Sequence, residues 1–92
     1  MTKQNKPLTE VLIDREDHQT LLEFATTLEK IAEKLKTEGS FTMVEGTKEN
    51  VIQPSEQLEV EYKYEKKGDK HSFEIEFEWY TGEKASQTMT IE

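Results

Sequence analysis

Two arms of strict apolar–polar alternation face each other across one short turn, and they constrain this chain more than any other feature. The first runs Leu58-Glu59-Val60-Glu61-Tyr62-Lys63-Tyr64-Glu65, and the second His71-Ser72-Phe73-Glu74-Ile75-Glu76-Phe77-Glu78-Trp79-Tyr80. An apolar residue at every second position is the period of a strand with one wet and one dry face. Pairing Lys67 with Lys70 around Gly68-Asp69 sets Tyr64 opposite Phe73, Tyr62 opposite Ile75, Val60 opposite Phe77 and Leu58 opposite Trp79. All eight large side chains then share one face. A slip of one residue would bring Glu into that face, so the register is strongly specified.

The remaining segments read as what such a hairpin needs. Thr9 to Asp14 carries Val11-Leu12-Ile13, a short run that suits a strand. Thr20-Leu21-Leu22-Glu23 has the spacing of a capping box. Leu21, Phe24, Ala25, Leu28, Ile31, Ala32 and Leu35 then form one helical stripe. Gly39 follows where a left-handed terminating residue is wanted. The helix is expected over Leu21 to Glu38, roughly 25 Å long at 1.5 Å per residue. Ser40 to Val44 is expected as a strand and Glu45 to Glu49 as a turn. Val51 to Gln53 would be a further short strand stopped by Pro54, which cannot donate to a ladder. The expectation is an α+β domain with one helix on one face of an antiparallel sheet of four to five strands. The order is strand, helix, then a meander of four strands. Residues 1–8 are read as a disordered arm, 9–80 as the single domain, and 81–92 as a tail with a short extra strand at Gln87 to Ile91.

The helix and the hairpin match in length but not in width. A helix is about 10–12 Å across, whereas four or five strands at about 4.8 Å span roughly 20 Å. The uncovered part of such a sheet must curl around the helix, pack on a partner subunit, or bind something.

Charge narrows the partners. A net charge of −8 and a single arginine, Arg15, argue against a nucleic-acid backbone, which calls for clustered Lys and Arg. The chain has no cysteine, which removes disulfides and thiolate chemistry and fits a reducing compartment. No apolar run follows the lysines near Met1, so no secretory signal is expected, and nothing approaches the length of a membrane span. A cytoplasmic location is the expectation.

The succession of strand, capped helix, Gly39, two short strands and Pro54 leads into Leu58-Glu59-Val60-Glu61-Tyr62. With the final Phe73-Glu74-Ile75-Glu76-Phe77-Glu78-Trp79, it resembles the amphi-Trp domain. That family of small bacterial and archaeal proteins is named for its amphipathic character and a tryptophan near the end. The resemblance covers roughly Thr9 to Trp79, with Trp79 on the hallmark position. It carries over no catalytic residue, cofactor or partner, and the chain continues past Trp79.

Candidate sites follow from the two faces. Trp79 is expected either as core opposite Leu58 or as the wall of a ligand pocket. Tyr62 and Tyr64 sit near the turn, with hydroxyls that need water or a partner. The outward face sets Glu61 against Glu76 and Glu59 against Glu78, like-charge pairs that destabilise the ladder. Those glutamates read either as a solubility device or as a docking face for a basic protein or cations. Asp14, Glu16, Asp17 and His18 match no calcium-loop spacing and read as a solvated connector. Neither His18 nor His71 has a nucleophile at a recognisable spacing. No catalytic, cofactor or metal residue is expected. The expected function is a non-catalytic interaction module that binds a protein partner or itself as a homodimer. The alternative is a small carrier holding an apolar ligand near Tyr62, Tyr64 and Trp79.

Overall fold

The computed structural model describes residues 8–82 and residue 91. Helix α1 spans Leu21–Glu38, followed by strands β1 Phe41–Glu45, β2 Lys48–Ile52, β3 Glu59–Lys67 and β4 Lys70–Glu78. The class is α+β. The four strands pair as two separate antiparallel two-stranded sheets, β1-β2 and β3-β4, rather than as the single meander expected from sequence. Pro54 lies in the stretch between β2 and β3 and has no N–H to extend a ladder. The chain divides into two compact units between Ile52 and Gln53, and each is described on its own.

In the first unit, α1 begins and ends where the sequence places it. The extended backbone of Thr20 lets its hydroxyl accept from the Glu23 N–H at 3.1 Å, which satisfies one orphan amide of the first turn. At the other end Gly39 adopts φ 70°, and its N–H donates to the Leu35 carbonyl at 3.1 Å. A side chain at that left-handed position would be strained. Lys34 and Glu38 pair at 3.2 Å one turn apart near the helix end. The stripe of α1 is half-covered at Ala25, Ile31 and Leu35, whereas Leu21 and Phe24 stand open.

β1 and β2 pair from Phe41↔Ile52 to Glu45↔Lys48. β2 thus starts at Lys48, earlier than the expected Val51. A tight turn at Gly46-Thr47 closes the ladder on an opposite-charge pair, Glu45 across from Lys48, which favours this start. The expected strand at Thr9 to Asp14 is not one. That segment is irregular and pairs with no strand among the described residues, and Val11 and Leu12 are exposed. β-Branched residues suit a pleated surface but form no strand without a neighbour to pair with. Arg15 instead anchors the connector, clasping Asp17 through Nε at 3.0 Å and Nη2 at 2.9 Å and reaching Glu45 at 3.5 Å.

The second unit is the long hairpin. Gly68 at φ 60° occupies the first position of its two-residue turn, a position reserved for glycine in the turn types that match strand twist. Of the expected arm at 1–8 only Leu8 is described, and of the strand at Gln87 to Ile91 only Ile91. The rest of both lies outside the described residues. No described residue in either unit is fully buried, and no described helix is long and apolar enough to cross a membrane.

Thr20→Ala is expected to lower stability by about 1 kcal/mol, and Gly39→Ala by about 1–2 kcal/mol. Urea titration followed by helical circular dichroism measures both.

Candidate functional site

Tyr62, Tyr64, Trp79, Glu59, Glu61, Glu76 and Glu78 all lie on or at the end of one ribbon, β3–β4, whereas Asp14, Glu16, Asp17 and His18 lie in the connector before α1. The observed register pairs Glu59↔Glu78, Val60↔Phe77, Glu61↔Glu76, Tyr62↔Ile75, Lys63↔Glu74, Tyr64↔Phe73 and Lys67↔Lys70. The expected pairing therefore holds through the whole ladder. Leu58 and Trp79 fall just outside it but line one small cleft of about 220 Å³ together with Tyr80.

The apolar face is an aromatic row. Phe77 and Trp79 stack with centroids 5.8 Å apart at 19°, and Tyr64 lies 6.3 Å from Phe73 at 38°. These are the offset and tilted geometries that aromatic quadrupoles favour. At the open end of the ribbon Phe77 and Trp79 are half-buried. Toward the turn the row is bare, with Tyr62 at 69%, Tyr64 at 64%, Phe73 at 64% and Ile75 at 53% exposure. Trp79 is half-buried beside Leu58 and Tyr80.

One partnership does not follow from the alternation alone. The Tyr64 hydroxyl lies 2.6 Å from Nδ1 of His71, and the two rings stack at 5.9 Å. His71 sits one step diagonally from Phe73, the cross-strand partner of Tyr64, within reach of a long side chain on the same face. The register itself contains that signal. Tyr62 remains open and makes no such bond among the described residues.

The opposite face collects charge. Glu59, Glu61, Glu76 and Glu78 line a shallow groove of about 240 Å³. Glu76 and Glu78 are two residues apart on one strand, so both carboxyls project from the same side. A hydrogen bond between these carboxyls holds the Glu76 pKa above its ordinary value of 4.5, with repulsion from the Glu78 charge and slight desolvation adding to it. At the turn end Lys63 pairs with Glu65 at 3.1 Å. The outward face is therefore acidic toward the open end and mixed toward the turn, where Lys67 and Lys70 stand opposite each other.

A second feature went unread in the sequence, because it arises from tertiary packing in the first unit. Ile31, Phe41 and Met43 line an open cleft of about 440 Å³ between α1 and β1, with Lys30 and Lys34 at its margin.

A helix with matched caps and a long ribbon alternating aromatic and glutamate residues up to a single tryptophan define a small amphipathic α+β domain. The chain belongs to the Amphi-Trp domain family, which it matches over residues 6–92. The match runs beyond Trp79, so residues 80–92 fall within the family's span rather than outside it. No curated protein and no solved structure matches the chain.

The raised Glu76 pKa carries a pH dependence. A carboxyl whose folded pKa lies above its unfolded value contributes stability that is complete below the unfolded pKa and lost as pH rises through the folded one. The ribbon should therefore gain stability as pH falls from neutral toward about 4.5, the ordinary value for this group. Glu76→Gln should raise stability at pH 7 slightly and flatten the profile. Urea midpoints followed by Trp79 emission across that range measure it, and a profile unchanged by Glu76→Gln would exclude the proton-sharing pair as its source.

Proposed function

We propose that this chain is a non-catalytic protein-interaction module whose working surface is the apolar face of β3–β4. The observation that supports this reading is the exposure of Tyr62, Tyr64, Phe73 and Ile75 side by side on one face of a regular ladder. Contiguous exposed apolar surface of that kind marks an interaction site more often than chance. Aromatic residues also supply large contact area at little entropic cost and are enriched at interfaces. The partner is a protein or a second copy of the chain rather than a nucleic acid or a membrane. The acidic charge of −8 supports that choice, since a phosphate surface of either kind would be repelled. A cytoplasmic location fits the absence of cysteine from the sequence.

The test is whether the face is a surface or a core. Tyr62→Glu combined with Phe73→Glu removes two cross-strand contacts and should lower stability by no more than about 2 kcal/mol while abolishing association measured by analytical ultracentrifugation. A loss of several kcal/mol would show that the chain packs this face internally, and the reading would fall.

A carrier function is the second reading, and the cleft between α1 and β1 favours it. Its volume of about 440 Å³ falls in the range of small-molecule sites. Ile31, Phe41 and Met43 would line such a site, in place of the expected neighbourhood of Tyr62, Tyr64 and Trp79. An environment-sensitive apolar dye should bind the parent stoichiometrically and fail to bind Ile31→Glu. Equal dye binding by both would remove this reading.

A further inference from the structure

The apolar face is one exposed feature of the ribbon, and its edges are another. β4 is nine residues long and in unbroken register with β3, and its outer edge pairs with no strand among the described residues. A two-residue turn makes Lys67 and Lys70 the closing hydrogen-bonded pair, after which inward and outward amides alternate. His71, Phe73, Ile75 and Phe77 therefore direct their N–H and C=O groups away from β3. A long regular edge is a template for another strand unless it is blunted by Lys, Pro or a bulge. β3 is blunted by Lys63, Lys66 and Lys67. β4 carries Lys70 alone, and no proline interrupts it.

Charge along β4 then selects the occupant. Its turn end is basic at Lys70, and its far end is acidic at Glu76 and Glu78. An antiparallel copy of the same strand presents the reverse order. We propose that a second copy of this chain adds to the outer edge of β4, antiparallel about a two-fold axis at Glu74, with Lys70 of each protomer opposite the partner's Glu78.

Full overlap in this register sets two Lys–Glu pairs, two Ser72–Glu76 pairs and one Glu74 self-pair on the outward face, as the strand sequence dictates. Lys63 faces Glu74 across the ladder but pairs with Glu65 at 3.1 Å, so the Glu74 self-pair stays as one repulsive contact against two attractive ones. The equivalent pairing of β3 with itself sets Glu59 against Lys67, but also Glu61 against Glu65 and Lys63 against Lys63. Repulsive pairs outnumber attractive ones there, so β4 is the edge that self-association uses. On the apolar side the same register sets Phe73 opposite Ile75 and His71 opposite Phe77, joining two aromatic rows into one four-stranded face. Such isologous pairing closes on itself at two copies. The proposal rests on reading β3–β4 as an interaction surface, and it assigns the partner and the way it docks.

Sedimentation equilibrium on the full chain tests it. The parent should move toward twice the chain mass as concentration rises. Lys70→Glu and Glu78→Lys should each weaken dimerisation about tenfold, because each turns two attractive pairs into two repulsive ones. An equimolar mixture of the two variants should recover the parent's affinity, since both Lys–Glu pairs re-form in the heterodimer. Trp79 emission checks that each variant keeps its hairpin. A parent that stays monomeric at millimolar concentration, or a Lys70→Glu variant that dimerises as the parent does, would overturn the edge assignment. Loss of the dimer in the Tyr62→Glu, Phe73→Glu variant alone would leave the apolar-face reading standing without it. A dimer that survives in both variants would remove both.

Discussion

The structure depends on the register of β3 and β4, and the register depends on a turn of two residues. Gly68 supplies the positive φ that lets Lys67 meet Lys70, and every later pair follows from that closure. Because side chains alternate with period two, the same closure decides which residues are wet and which are dry. No buried core enforces this choice among the described residues. Turn geometry and the cross-strand contacts of the aromatic row enforce it instead, each contact contributing about 0.2–1 kcal/mol. A two-stranded ribbon held in this way is marginal in water by itself, so covering its apolar face governs how firmly the unit folds.

The two faces divide the work of the ribbon. Tyr62, Tyr64, Phe73 and Ile75 offer area without direction, since apolar contact is nonspecific in orientation. Glu59, Glu61, Glu76 and Glu78 offer direction without much energy, because exposed charges are screened and contribute little per pair. Repulsion within the acidic cluster weakens the hairpin. This chain places stability and selectivity on opposite sides of a single sheet, so a substitution on one side leaves the other largely untouched.

What could be read from the sequence was local, and what could not was the identity of neighbours. The Thr20 cap, the stripe from Leu21 to Leu35 and the Gly39 stop are written within a few residues of where they act, and α1 has the expected ends. The hairpin was legible for the same reason, since one turn fixes all its pairs. The reciprocal half of the capping box, from Glu23 back to Thr20, is not formed, although its spacing is present. Val11-Leu12-Ile13 looked like a strand because composition reports suitability for a sheet and says nothing about a partner. Lys48 and Glu49 fall in the expected turn of Glu45 to Glu49 because Gly46 marks a loop without giving its length, and here the turn is only two residues long. At the candidate surface, the residues and their faces were readable down to the Glu61–Glu76 opposition. The Tyr64–His71 bond required following the diagonal of the register. The cleft at Ile31, Phe41 and Met43 required knowing that α1 leans on β1.

The short loops of this fold also set an order of events in time. β1 meets β2, and β3 meets β4, across turns of only two residues, so little chain entropy is lost in closing either ladder. Hairpins of this kind form within microseconds, and a helix of this length forms faster still. The elements are therefore in place long before two molecules can meet by diffusion. Closure of either ladder is unimolecular, so its rate does not depend on the concentration of the chain.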